Sequence, residues 1–353
     1  MNSSRDNILP NSSIAELLAV AAESAKMPLQ KALRRASRKA FMWPEEVTDL
    51  LQEDRSLTEL PGIGSSLDKI IRRWIDDPPD IPPRPEIRAP FLTVTEARAA
   101  LAKQPSWSAE LKGDLQMHTQ WSDGGGSVED MALAAADRGY QYIAITDHSK
   151  GLKIAGGINE EQLQQQGEEI AAVNASLRSE GQTVRVLRSV ELNLDPKGDG
   201  DMDSESLKSL DLVLGCFHSA LRRKDDQTDR YLAALRNPDI QILGHPRGRI
   251  YNFRLGLTAD WSRVFDLAAE LDKAVEIDAY PDRQDLSLDL LKLAKKSGCR
   301  ISLGTDSHDP LQMRFMEYAL AAALLAGIKR ERILNFMSRD ELLNWTANVR
   351  QRH

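Results

Sequence analysis

The chain has 353 residues, 41% hydrophobic and 28% charged, which fits a soluble globular protein with one large domain and room for a smaller one. Its formal charge of −7 excludes a protein that coats nucleic acid non-specifically, and the charge is uneven: residues 1–75 carry a net +1, leaving −8 for the remainder. The longest apolar run, "YALAAALLAGI", is too short to span a bilayer, and "MNSSRDNILPNSS" at the start lacks the apolar centre of a secretion signal, so a cytoplasmic protein with no membrane partner is expected.

Residues 1–77 read as helices throughout. "SSIAELLAVAAESA" has apolar residues at helical spacing, with Glu16 placed for a capping box. "PLQKALRRASRKAFMW" follows, with Pro28 at a first-turn position, then "PEEVTDLLQED" and "SLTELPGIGSSLDKIIRRWIDD". The proline-dense "PPDIPPRPEIRAP" predicts an extended, semi-rigid linker, and residues 91–112 a helix and turn, so 78–112 is the connection to a second domain, 113–353. In that domain apolar strands ("DLQMH", "YQYIAIT", "TVRVLRSVEL", "LDLVLGCF", "IQILG", "AVEIDAY", "RISLGT") alternate with helical segments such as "SVEDMALAAADRG" and "SLDLLKLAKKSG". Regular alternation predicts an α/β fold with a parallel sheet, and seven strands predict a distorted (β/α)7 barrel of the TIM type. Cys216 and Cys299 end apolar runs and are expected to be reduced core residues.

Of the six histidines, His353 is the last residue; His118, His148, His218, His245 and His308 all lie at or just beyond a predicted strand end. Glu191 ends "VLRSVE", and Asp147 and Asp306 flank histidines. In a barrel these positions converge on one rim, where catalytic groups reside. A lone histidine there is usually structural, but five with carboxylates and no thiolate form a set suited to Zn²⁺, Mn²⁺ or Fe²⁺.

The motifs "DLQMHTQWSDG", "AITDHSKG", "SVE", "GCFHS", "GHPRGR", "EIDAYPDRQDL" and "GTDSHD" resemble, in order, those of the PHP (polymerase and histidinol phosphatase) domain, in the version carried by bacterial family X DNA polymerases. Residues 1–77 look like the small helix-hairpin-helix DNA-binding domain of those polymerases, with no segment for a polymerase core between the two parts. The resemblance implies up to three metals: a first held by Gln116, His118, Glu191 and Asp306; a second by Glu191, His218 and His245; a third by Asp123, His148 and His308. Gln116 stands where the family has histidine, so the first metal should be held less tightly in an altered but live site. The implied chemistry is phosphoester hydrolysis by metal-activated water. Glu191, His118 and Asp306, with Lys150 and Arg249 beside them, are the expected catalytic groups; Arg247 and Arg249 are expected to contact phosphate, Arg283 less so. Asp278 stands where the family usually has asparagine.

"LPGIG" adds a second motif: Gly62 and Gly64 permit a tight turn whose amides, with those of Ile63 and Ser65, can face a nucleic-acid phosphate. Lys69, Arg34, Arg35 and Arg38 would supply charge, although Ser65 replaces the family's lysine and Asp68 opposes it. Three readings follow. The first is a DNA phosphodiesterase (a 3′–5′ exonuclease or abasic-site nuclease) gripping the DNA backbone. The second is a small-molecule phosphomonoesterase of histidinol-phosphatase type, and the third a non-catalytic DNA-binding protein. None requires an obligate protein partner.

Overall fold

The computed structural model describes residues 9–352, so His353 lies outside the described residues. From Leu9 to Asp76 every element is helical: α1 (Asn11–Ser24), α2 (Leu29–Lys39), α3 (Val47–Gln52) and α4 (Ser65–Asp76), with short 3-10 turns between. Ile14, Leu18, Leu33, Ala36, Leu50, Leu57, Leu67 and Ile71 recur at helical spacing and turn into one core, which also receives Trp43. The start of α1 differs from expectation. No side chain of its own caps it; instead Glu46 accepts the Asn11 N–H at 2.7 Å. Glu16 takes no part in capping. It is buried and holds Arg88 at 2.8 Å.

Arg88 lies in the proline tract, which is therefore more than a spacer. Its guanidinium also reaches Glu23 at 3.0 Å and Asn252 at 3.3 Å. Tyr251 and Phe91 join the core of the helical segment, their rings 4.7 and 5.9 Å from that of Phe41. Tyr251 Oη shares a 2.9 Å hydrogen bond with Ser37 Oγ, and Tyr318 Oη donates to Phe41 O at 2.7 Å. Helices Val94–Ala102 and Ser106–Glu110 then lead into the α/β part, two helices where a helix and turn were expected.

The α/β part has strands β1 (Gly113–Asp114), β2 (Tyr142–Ile145), β3 (Arg185–Arg188), β4 (Glu191–Asn193), β5 (Leu214–Cys216), β6 (Ile242–Leu243), β7 (Ala274–Asp278) and β8 (Arg300–Gly304). They form parallel sheets in the orders β1-β2-β3 and β4-β5-β6-β7-β8. β3 and β4 are halves of the single predicted strand "TVRVLRSVEL", broken at Ser189–Val190, so the sheets share an edge where Ser149 N–H meets Glu191 O at 3.1 Å. On the far side Leu115 N–H donates to Leu303 O at 3.3 Å and His118 N–H to Ser307 O at 2.8 Å, tying β8 back to β1. "DLQMH" is barely a strand: only Asp114 lies in a ladder, and Met117 adds a bridge. Helices cover the outside, and every residue of β2 and β7 is buried, as strands of a parallel sheet covered on both faces must be. At one end Leu342, Trp345 and Val349 of the helix Arg339–Gln351 share a buried cluster with Tyr142 and Leu334, leaving the opposite end for chemistry. Both cysteines are buried and unpaired, as expected. No described helix is long and apolar enough to cross a membrane.

Lys273, just before β7, is fully buried, its Nζ donating to Asn237 O at 2.5 Å. Burial pushes its pKa down to about 8 from 10.5. Between these values the unfolded chain binds a proton that the folded one has lost, so stability should rise as pH climbs through that window. In Lys273→Met that rise should vanish from urea midpoints measured against pH; a rise of equal size in both proteins would trace it to another group.

Candidate metal centre

Strand ends set the site. Gln116 and His118 follow β1, His148 follows β2, Glu191 opens β4, His218 follows β5, His245 follows β6, and Asp306 and His308 follow β8. All are at the C-terminal end of a parallel strand or just past it, apart from Glu191, which sits where the broken strand resumes. Two glycines make room. A Cβ on Gly304 would lie 2.3 Å from Glu276 Oε1 and 2.6 Å from Gln116 Cβ, and one on Gly244 would meet Cys216 Sγ at 2.3 Å. Asp306 adopts φ +52°, a left-handed conformation that costs a non-glycine residue about 1 kcal/mol or more.

Glu191 is the hub. Its Oε1 lies 2.7 Å from His218 Nε2 and 2.8 Å from His245 Nε2; its Oε2 lies 3.2 Å from His118 Nε2 and 3.7 Å from His148 Nδ1. His118 Nε2 is also 2.9 Å from Asp306 Oδ1. Further out, Asp123 Oδ1 stands 3.6 Å from His148 Nε2 and 3.4 Å from His308 Nε2. The groupings that could hold an ion are His118–Asp123–His148–His308, His148–Glu191–His218, Glu191–Cys216–His245 and His118–Glu191–Asp306.

Surrounding groups aim these ligands. His218 Nδ1 is 3.1 Å from Asn193 Oδ1 and His308 Nδ1 is 2.8 Å from Asp306 O, each leaving Nε2 turned into the cluster, as second contacts of metal-binding histidines do. Asp147 binds no histidine; it accepts Thr119 N–H at 2.8 Å and Gln166 Nε2–H at 2.7 Å, holding the loop that carries Asp123.

Electrostatics show what the cluster needs. Burial pushes His148 down to about 3. Burial also works against charge on His245, but Glu191 overrides it and holds the imidazole up at about 10. Burial opposes the charge of Glu191 as well, yet the imidazoles keep its pKa well below the ordinary range. Glu276, by contrast, is pushed well above that range by burial and by Asp278.

The residues fit divalent cations. Buried Gln116 Oε1, His118 Nδ1, His148 Nδ1, Glu276 Oε1 and Asp278 Oδ2 have no hydrogen-bond partner, and the donors are imidazole and carboxylate. Gln116 Nε2 donates to Glu191 Oε2 at 2.9 Å, so its amide buttresses the hub. Cys216 lies beside Glu191 and His245, and burial pushes its thiol well above the usual value.

Several expectations change. Lys150 is exposed and held by Glu160 at 2.6 Å, and makes no contact with the cluster. Arg249 is buried on the Phe91 ring, 3.7 Å from its centroid, and donates to Pro90 O at 2.6 Å, so it clamps the connection. Arg247 donates to Leu257 O at 3.2 Å and faces Glu86 at 3.7 Å, serving the same joint. The arginine that does enter the site is Arg283, which binds Asp306 and lies 3.5 Å from Asp278 Oδ2. Sequence reasoning misses Glu276, whose one signal is a carboxylate in the middle of the apolar strand "AVEID".

The "LPGIG" turn leads directly into α4. Gly62 takes φ +89° and Gly64 precedes α4, which has no side-chain cap; Ser65 and Lys69 are exposed on it, and Asp68 is paired with Arg72 at 3.1 Å. The Lys39 stem lies over Gly62, 3.0 Å from where its Cβ would be. Arg34, Arg35 and Arg38 are exposed on α2. Arg38 faces the α/β part, 3.6 Å from Asp282, and borders a cleft of about 560 Å³ with Arg283 and His308.

The sequence is similar to known proteins. A family profile for the PHP domain matches residues 114–305. The DNA polymerase/3′-5′ exonuclease PolX of Bacillus subtilis is 36% identical over 230 residues, covering 65% of this chain and 40% of that protein, so the chain spans less than half of that relative. A probable phosphatase of Thermoanaerobacter sp. (strain X514) is 27% identical over 230 residues, 63% of this chain and 89% of that protein. Among solved structures, histidinol phosphate phosphatase from Lactococcus lactis, complexed with zinc, L-histidinol and phosphate, aligns with a TM-score of 0.45 at 19% identity, over 62% of this chain and 94% of the other. With a match across more than half of the sequence that spans the strands carrying most of this histidine–carboxylate cluster, the chain belongs to the PHP domain family of metal-dependent phosphoesterases.

Proposed function

We propose that the chain is a DNA phosphodiesterase, a 3′–5′ exonuclease or abasic-site nuclease, whose strands close into a distorted (β/α)7 barrel and whose residues 1–77 form a helix-hairpin-helix domain that delivers DNA. The observation carrying this reading is the placement of Arg38: a cation from the helical segment borders the same cleft as Arg283 and His308. The relative named as a 3′-5′ exonuclease supports the same substrate class. Cations would be held by Gln116, His118, Glu191 and Asp306, by Glu191, His218 and His245, and by Asp123, His148 and His308, with Mn²⁺, Zn²⁺ or Fe²⁺ suited to these donors. When bound, they supply electrophilic pull on the phosphate oxygens and acidify water. The chain's own groups do the rest. Arg283 lines the cleft and offers a guanidinium for the phosphate's charge, Arg38 lines it too and offers one for the neighbouring phosphates of a strand, and Asn193 and the Asp306 carbonyl fix which nitrogen His218 and His308 present. Lys150 and Arg249 have no part in this scheme.

A small-molecule phosphomonoesterase is the second reading, favoured by probable phosphatases that this chain matches along most of their length. Deleting the helical segment would not separate the two, because it would also uncover Tyr251 and Tyr318. The test is elemental analysis of the full chain, run with Mn²⁺-dependent hydrolysis of end-labelled single-stranded and abasic DNA and of an aryl phosphomonoester. Cleavage of DNA that weakens in Arg38→Ala, with the aryl ester unaffected, is the expected result; turnover of the aryl ester alone would reject the nuclease. Gln116→His should raise metal content or tighten the weakest-held ion about tenfold, since imidazole replaces a neutral amide. Unchanged content and affinity would show that residue 116 is not a ligand.

A further inference from the structure

Phe253 is 52% exposed, yet the turn that carries it is firmly built. Ile250 and Arg254 pair across it, with N–H to carbonyl distances of 2.8 and 2.9 Å in the two directions. Its flanks are tied to three other segments: Asn252 N–H to Ile87 O at 3.0 Å, Tyr251 N–H to Asp282 O at 2.7 Å, and Tyr251 Oη to Ser37 Oγ at 2.9 Å. Asn252 takes φ +51° to turn the tip outward. Single exposed apolar residues are common on protein surfaces, but this ring is held out by a fastened hairpin at the joint of the two parts of the chain.

Its surroundings are cationic. The Arg222 guanidinium lies 4.6 Å from the ring centroid. On one side the ring borders the cleft that holds Arg38, Arg283 and His308; on the other it borders a cavity of about 620 Å³ with Arg222, Lys224 and Arg254. Glu23 pairs with Arg88, Asp225 with Arg223, and Asp282 faces Arg38. Among the described residues, Arg34, Arg222 and Lys224 form no ion pair. In a chain of charge −7 this is a local excess of positive charge around one exposed aromatic ring. An aromatic face among arginines and lysines is the chemistry that holds single-stranded nucleic acid, with bases stacking and cations following the phosphates.

We propose that Phe253 is the stacking platform for a nucleobase of a single-stranded DNA substrate, with Arg222 and Arg38 holding the phosphates on either side and the next phosphodiester entering the cleft lined by Arg283 and His308. This rests on the nuclease reading and adds the strand form and its path. A duplex buries its base faces and could not use the ring.

The test uses the full chain as wild type, Phe253→Ala and Phe253→Trp, with a single-stranded oligodeoxynucleotide containing 2-aminopurine, the same sequence as RNA, and bis(p-nitrophenyl) phosphate, which has no base. Phe253→Ala should raise Kd and KM for the DNA strand about tenfold and abolish 2-aminopurine quenching, the scale of one lost stack, with the aryl diester unaffected and Phe253→Trp restoring both. Equal KM in wild type and Phe253→Ala, with DNA cleaved, would overturn the platform and leave the nuclease. A wild type that hydrolyses the aryl diester but neither binds nor cleaves DNA would overturn both. Phe253-dependent quenching without cleavage would keep the platform and remove the nuclease, and tighter binding of the RNA would overturn the assignment to DNA.

Discussion

Glu191→Ala is expected to strip the centre of its metals and of all hydrolysis while leaving the chain folded. No other carboxylate among the described residues meets four imidazoles: its two oxygens face His118, His148, His218 and His245 at 2.7–3.7 Å. It is the one residue common to three of the four groupings that could hold an ion. Contacts that merely orient a ligand affect metal affinity by about 10- to 100-fold, so loss of a shared ligand should exceed that for more than one ion at once. Folding should survive, because the void is small and polar and the sheet hydrogen bonds at residue 191 are made by the backbone. Elemental analysis after chelation and reloading, with circular dichroism as the control for folding, checks both halves. Asp123→Ala makes the contrast: Asp123 belongs only to the outer grouping, so at most one ion should be lost. A Glu191→Ala protein that reloads fully would mean that the ions sit elsewhere.

How much of this is legible in the sequence depends on which physical signal each residue carries. Strands announce themselves by β-branched, apolar runs, and a ligand just past a strand end needs no further information to be placed on the rim. That is why His118, His148, His218, His245 and His308 can be grouped without coordinates. Side-chain direction within a loop carries no such signal. Arg247 and Arg249 adjoin a ligand in "GHPRGR" but turn back to the joint, whereas Arg283, remote in sequence from every ligand, turns in to Asp306. Glu276 hides because a carboxylate inside an apolar run reads as an interruption, although alternate residues of a strand point to opposite faces and this one meets the His245 N–H at 2.7 Å. Glu16 misleads for a related reason: three residues past Ser13 it fits a cap, and only the tertiary partner Arg88 decides otherwise.

That partner supplies the second large effect. Arg88→Ala should lower the unfolding free energy by about 3 kcal/mol, because it leaves Glu16, 1% exposed, as a buried charge without its partner. Burial opposes the charge of Arg88, but Glu16 and Glu23 override it and hold its pKa above the ordinary arginine value, so the ion pair is the favoured state of the joint. The contact to Glu23, which is 63% exposed, should add little, and Glu23→Ala should shift the urea midpoint hardly at all. The double variant Glu16→Leu/Arg88→Met should recover most of the loss, since apolar groups of similar size can replace a buried pair. Because Arg88 joins α1 to the hairpin at Asn252, loss should first free the helical segment from the α/β part. In Arg88→Ala, proteolysis within residues 78–90 should therefore precede global unfolding. The platform at Phe253 would lose its tie to α2 in the same step, so DNA cleavage should fall while the aryl diester is still turned over. An unchanged midpoint and unchanged proteolysis would instead make the proline tract the loose connection that its composition alone suggests.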